Sequence, residues 1–80
     1  MPHVEARLYA TLRQYAPELG IGEALSLDLP TGTTVRDLLA QLQVPAGQVK
    51  IIFVNYRAVP MEYVLQEGDR VSIFPPVAGG

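Results

Sequence analysis

Apolar and polar residues alternate cleanly from Val4 to Ala10. Val4, Ala6, Leu8 and Ala10 fall on one side and Glu5, Arg7 and Tyr9 on the other, the period of a half-buried strand. Thr11 to Ala16 allows a short helical turn before Pro17 and Gly20 interrupt it. A second alternation places Leu25, Leu27 and Leu29 inward and Ser26 and Asp28 outward, and Pro30-Thr31-Gly32 then signals a turn. There the period changes. Val35, Leu38, Leu39 and Leu42 follow the i, i+3, i+4, i+7 spacing of an amphipathic helix. Thr34 and Asp37 stand where a capping box would open it, with Asp in place of the commoner Glu. Val44-Pro45-Ala46-Gly47 closes that helix. The nearly continuous run Val49-Lys50-Ile51-Ile52-Phe53-Val54 predicts a strand covered on both faces. Asn55-Tyr56 predicts a tight turn into a short strand, Arg57 to Val59. Glu67-Gly68-Asp69 turns the chain into a last strand, Arg70 to Phe74, with Val71 and Ile73 inward.

The element order is therefore β-β-α-β-β-β. It predicts an α+β domain in which one helix covers one face of a mixed sheet of about five strands. Burying both ends of such a sheet places the first and last strands side by side in the middle. The domain spans residues 1–74, and residues 75–80 form an extended tail.

Composition narrows the function classes. At 80 residues the chain makes one domain near the lower end of what folds unaided, and 49% apolar residues suffice for a core. It holds no cysteine, which excludes disulfides, thiolate metal sites and a cysteine nucleophile. The net charge is −2, and the six basic residues, Arg7, Arg13, Arg36, Lys50, Arg57 and Arg70, form no run. Nucleic acid is therefore not an expected partner. No apolar stretch approaches the ~20 residues that span a bilayer, and Met1 to Glu5 has no signal-peptide pattern. A cytoplasmic protein is expected, with no membrane contact.

The last residues carry the strongest functional signal. Phe74-Pro75-Pro76-Val77-Ala78-Gly79-Gly80 leaves the final strand without a polar linker. Pro75 and Pro76 lack N–H donors, so the strand cannot continue as a paired one. They also favour polyproline II geometry. The residues beyond Phe74 reach about 20 Å when extended. Such an arm, stiff at its root and narrow at its tip, suits a terminal carboxyl that must enter another protein's active site. Frayed or appended tails give the alternative reading, but they favour polar residues and this one is apolar.

Catalytic equipment is nearly absent. His3 stands alone near the terminus and reads as an exposed, idle side chain. Glu18, Glu23, Glu62, Glu67 and Asp69 fall in predicted loops, where carboxylates are normally solvated. No spacing matches a metal site. Gly20 and Gly22 precede a strand rather than a helix, which disfavours a phosphate loop. No cofactor is expected, and the chain reads as a substrate or carrier rather than an enzyme acting alone. Tyr9 and Phe74 point away from the core. If their strands are neighbours they share one exposed face with Ala58 or Val59, a candidate partner surface. The competing reading folds the loop Met61-Glu62-Tyr63 over them.

These residues resemble a known family. The β-β-α-β-β-β pattern ending in Gly-Gly is similar to the β-grasp (ubiquitin-like) sulfur carriers. Phe53-Val54-Asn55, Glu67-Gly68-Asp69-Arg70-Val71 and the Phe74-to-Gly80 segment resemble the small subunit of molybdopterin synthase, collinearly over essentially the whole chain. Tyr56 departs from the pattern, since Gly commonly follows that Asn in the family. The resemblance implies that a ubiquitin-activating-type adenylating enzyme adenylates the Gly80 carboxyl. A sulfur donor protein then converts it to a thiocarboxylate. The sulfur next passes to a pterin precursor held by the large subunit of molybdopterin synthase. A free carboxylate is ionised at neutral pH and a poor electrophile, so activation is needed. Gly79 and Gly80 admit the backbone to a channel that any Cβ would obstruct. Three alternatives stay open: a thiamine-pathway sulfur carrier, a ubiquitin-like modifier joined to lysines, and a pure binding domain.

Overall fold

The computed structural model describes residues 1–20 and 23–76. Its strands are β1 (His3–Leu8), β2 (Leu25–Asp28), β3 (Ile51–Val54), β4 (Arg57–Ala58) and β5 (Arg70–Phe74), with one helix, α1 (Val35–Gln41). They form one sheet in the order β2-β1-β5-β3-β4. β1 and β5 lie parallel at its centre, with Leu8 opposite Ile73, and every other pairing is antiparallel. Short 3-10 turns occupy Ala10–Tyr15 and Ala46–Gln48. This is the ubiquitin-like β-grasp architecture, an α+β fold.

Local sequence accounts for the limits of α1. Thr34 Oγ1 accepts from the Asp37 N–H at 3.2 Å while an Asp37 carboxylate oxygen accepts from the Thr34 N–H at 3.1 Å. Both halves of the capping box are therefore made, and the shorter Asp reaches as well as Glu would. At the other end Gln43 takes φ +62°, Val44 N–H donates to Leu39 O and Gln43 N–H to Ala40 O. That is a Schellman closure with Gln in the position usually held by Gly. Val44, just past it, is buried against the core.

The inner face of the sheet is aliphatic. Val4, Ala6, Leu8, Ile52, Val54, Val71 and Ile73 meet Val35, Leu38 and Leu39 from α1, closed off by Leu12, Leu29 and Leu65. The loop Met61-Glu62-Tyr63 belongs to this layer. Val35 N–H donates to Tyr63 O and Arg36 N–H to Met61 O, so the loop covers the start of α1 and not the outer face.

Several expectations need correction. β1 ends at Leu8, and Ala10 is exposed with φ +54°, opening a 3-10 turn instead of ending a strand inward. β3 is covered on one face only: Ile52 and Val54 are buried, whereas Ile51 is exposed and Phe53 half-buried. Val59 packs against the core, leaving Ala58 alone to represent that segment on the outer face. Asp69 is no solvated loop carboxylate. It is buried and accepts from Asn55 Nδ2, Tyr63 Oη and Gln66 N–H, as a buried carboxylate must. Partial burial and the Asp69 charge hold the Tyr63 phenol above its ordinary value. His3 is not idle either, since its Nδ1 lies 2.9 Å from Asp28 Oδ1.

Asn55 and Tyr56 form a two-residue loop between paired Val54 and Arg57, at φ +53° and +70°. Positive φ at both central positions is the type I′ signature, matched to strand twist. Asn tolerates it; Tyr carries about 1–2 kcal/mol of left-handed strain there.

Candidate functional site

The outer face of the sheet changes character along its length. Outward positions on β1 run His3, Glu5, Arg7 and then Tyr9 just past the strand, and on β5 they run Arg70, Ser72, Phe74. The strands are parallel, so both sequences pass from polar to aromatic in the same direction. The aromatic end coincides with the point where the chain leaves the sheet. There the Tyr9 and Phe74 rings stack, with centroids 4.5 Å apart and planes 8° apart. Phe53 from β3 meets Phe74 edge-on at 5.7 Å. Such contacts contribute roughly 0.5–1.5 kcal/mol each beyond area burial, so the rings are held in place before any partner arrives.

Beside this stack lies a shallow apolar groove of about 590 Å³, bounded by Lys50, Ile51, Phe53, Phe74, Pro75 and Pro76. It runs along Pro75 and Pro76, just past β5. Pro75 is half-buried and Pro76 exposed. Lys50 N–H donates to Phe74 O at 2.8 Å, which carries the β3–β5 pairing up to the last residue before the prolines.

The structure thus brings Tyr9, Phe74 and Ala58 to one face, Ala58 lying opposite Phe53 in the β3–β4 pairing. It places Val59 elsewhere, as noted. Val77, Ala78, Gly79 and Gly80 lie outside the described residues, as does Gly22. Sequence reasoning missed Ile51, Phe53 and Tyr56. Ile51 and Phe53 were hidden in an unbroken apolar run, where alternation carries no information. Tyr56 had a signal, an aromatic residue in a turn slot that favours Gly.

Among the described residues no group of three or more His, Cys, Asp or Glu side chains could hold a metal ion. No helix there is long and apolar enough to cross a membrane. What the arrangement offers is an apolar, partly exposed surface of aromatic rings where the chain leaves the sheet at Pro75 and Pro76.

Comparison with known proteins agrees with this geometry. The ThiS family model matches residues 6–80. Small archaeal modifier protein 3 of Haloferax volcanii is 33% identical, covering 96% of this chain and 98% of that protein. The molybdopterin synthase sulfur carrier subunit of Haemophilus influenzae is 34% identical over 66% of this chain and 72% of its own length. Among solved structures, the Haloferax volcanii HVO 2177 protein superimposes with a TM-score of 0.76 at 30% identity, covering 99% of this chain and 87% of that one. The same fold occurs in the Helicobacter pylori complex of subunits 1 and 2 of molybdopterin-converting factor, with a TM-score of 0.62, 24% identity and coverage of 98% and 99%.

Proposed function

Because this chain belongs to the ThiS family, a family of β-grasp sulfur carriers, we propose that its cargo site is the Gly80 carboxyl and its pathway the synthesis of molybdopterin. In this reading a carboxylate oxygen of Gly80 attacks the α-phosphate of ATP on an adenylating enzyme and pyrophosphate departs. The outer sulfur of a persulfide on a donor protein then attacks the acyl carbon and AMP leaves. A thiol of a partner protein attacks the donor-side sulfur of the resulting acyl disulfide, which releases the thiocarboxylate and leaves that thiol and the donor cysteine joined as a disulfide. The protein next serves as the small subunit of molybdopterin synthase, presenting that sulfur to the large subunit. The observation that carries the reading is the aromatic face at the root of the tail. Tyr9 stacks on Phe74 and Phe53 meets it edge-on, all three half-exposed and continuous with Pro75-Pro76, which supports a docking role for Phe74, Tyr9 and Ala58. The relationship to the Haemophilus influenzae sulfur carrier subunit supports the pathway.

The test is ATP–pyrophosphate exchange with the purified adenylating enzyme of the same host, comparing the intact chain with one lacking Gly80. Exchange should vanish on deletion while the melting curve stays unchanged, because the tail follows the last core residue, Ile73. Intact mass from the native host should show one oxygen replaced by sulfur. Normal exchange by the shortened chain would overturn the proposal.

A second reading has its own support, the 33% identity to an archaeal modifier over nearly the whole chain. There the activated Gly80 would acylate lysines of other proteins. Isopeptide-linked Gly-Gly remnants in the host proteome, with molybdopterin synthesis intact in a deletion strain, would select it.

A further inference from the structure

Tyr56 occupies a position that its own backbone disfavours. It sits at φ +70° and is 86% exposed, so little burial of its own offsets the left-handed strain. The turn is also pinned. Asn55 Nδ2 donates to Asp69 Oδ1 at 2.9 Å, and Asn55 Oδ1 accepts from the Arg70 N–H at 3.0 Å. Glycine would meet the same turn with less strain. Strain held in an exposed side chain points to function more than to folding.

The ring borders two recesses. One, of about 290 Å³, is shared with Tyr9, Phe53, Ser72 and Phe74 and is mainly apolar. The other, of about 140 Å³, is lined by Arg7, Tyr9, Tyr56, Arg70 and Ser72. Among the described residues, that second recess is lined by two guanidinium groups and three hydroxyl-bearing side chains and by no carboxylate. Glu5 Oε1 stands at its edge, 3.9 Å from Arg7 Nη1. Arg7 and Arg70 stand on the two central strands, where Arg7 is the register partner of Ser72 and Arg70 that of Glu5. In a chain of net charge −2, this is a local excess of positive charge beside an apolar surface.

We propose that Tyr56 is a specificity-determining anchor for the adenylating enzyme. Its ring packs on an apolar side chain of that enzyme, while the Arg7–Arg70 recess receives an Asp or Glu of the same surface. Arginine pairs suit a carboxylate through forked, charge-assisted hydrogen bonds. Tyr and Arg are the residues most often found to dominate interfaces. The same cations repel a partner that presents Lys or Arg there, which turns affinity into selection. The inference rests on the carrier reading above and narrows it to partner choice.

The experiment measures ATP–pyrophosphate exchange by the purified host adenylating enzyme against carrier concentration, at low and high salt, beside thermal melts of each variant. Tyr56→Gly should raise KM for the carrier about tenfold, equivalent to about 1.4 kcal/mol, with kcat unchanged and a melting midpoint no lower than that of the intact chain. Tyr56→Phe should behave as the unaltered protein. Arg70→Ala should raise KM and flatten its salt dependence. A merely structural Tyr56 would instead lose stability and affinity together. A KM within about twofold for Tyr56→Gly, or a KM loss accompanied by a lower midpoint, would overturn the inference. If Phe74→Asp fails while Tyr56→Gly is normal, the carrier reading stands without it. If the intact chain is not adenylated, both fall.

Discussion

On the inner face of the sheet, Val4, Ala6, Val71 and Ile73 are fully shielded beneath α1. On the outer face the neighbouring residues of the same strands, among them Arg7, Ser72 and Phe74, remain half-exposed. The inner residues are aliphatic and largely β-branched, and their burial stabilises the isolated fold. The outer ones are polar at one end and aromatic at the other. An antiparallel or mixed sheet with one wet face ordinarily keeps that face polar. Here the departure is confined to the end where the chain exits toward Pro75 and Pro76. The two faces therefore answer to different demands: one closes a core within the molecule, and the other, on the reading proposed above, keeps apolar area available for a partner.

The comparison can be broken most severely from inside. Leu38 is fully buried on α1, and Leu38→Ala should cost about 2–5 kcal/mol in transfer and cavity terms. Urea unfolding should show the loss, while the fraction still folded binds the proposed adenylating enzyme normally. Reduced affinity of that folded fraction would mean that the two faces are coupled.

Phe74→Asp probes the outer face. It removes one stacked and one edge-on aromatic contact, so a stability loss of about 1–2 kcal/mol is expected. Partner affinity should fall further, by 2 kcal/mol or more, on the order of thirtyfold. Calorimetric titration beside a thermal melt separates the two. A stability loss at the Leu38→Ala level with unchanged affinity would reassign Phe74 to the core.

The smallest effect lies at the polar end. His3 has its pKa raised, first by its hydrogen bond to Asp28 and then by the charges of Asp28, Glu67 and Glu5. A raised folded value means that the imidazolium favours the folded state. The contribution is full below the ordinary value of 6.5 and is lost as pH rises through the higher folded value. The melting midpoint should therefore decline slightly across that window, and His3→Ala should remove that part of the decline. Because the pair is exposed, salt should weaken the effect.

Much of the fold was legible in the residue pattern. Thr34 and Asp37 marked the start of α1, and alternation in β1, β2 and β5 assigned their faces. Those signals are local: each depends on a repeat of two or 3.6 residues, or on a cap within one turn. The Tyr9–Phe74 contact was legible once β1 and β5 were taken as neighbours, because their outward residues then share a face. Ile51 and Phe53 were not, since an unbroken apolar run has no alternation to read. Nor was the burial of Asp69, whose hydrogen-bond partners Asn55 and Tyr63 come from separate turns.

What the sequence determined by itself was the order and type of the elements, one face of most strands, and the halt of strand pairing at Pro75-Pro76. What only the tertiary structure decided was which outward residues become neighbours. Parallel pairing of β1 with β5 gathers Tyr9, Phe74 and, through β3, Phe53 at one end, with Arg7 and Arg70 beside them. The physical reason is range. Propensity and periodicity act over a few residues, whereas strand pairing joins positions more than sixty apart, and only the burial of one shared core selects among the pairings the chain could make.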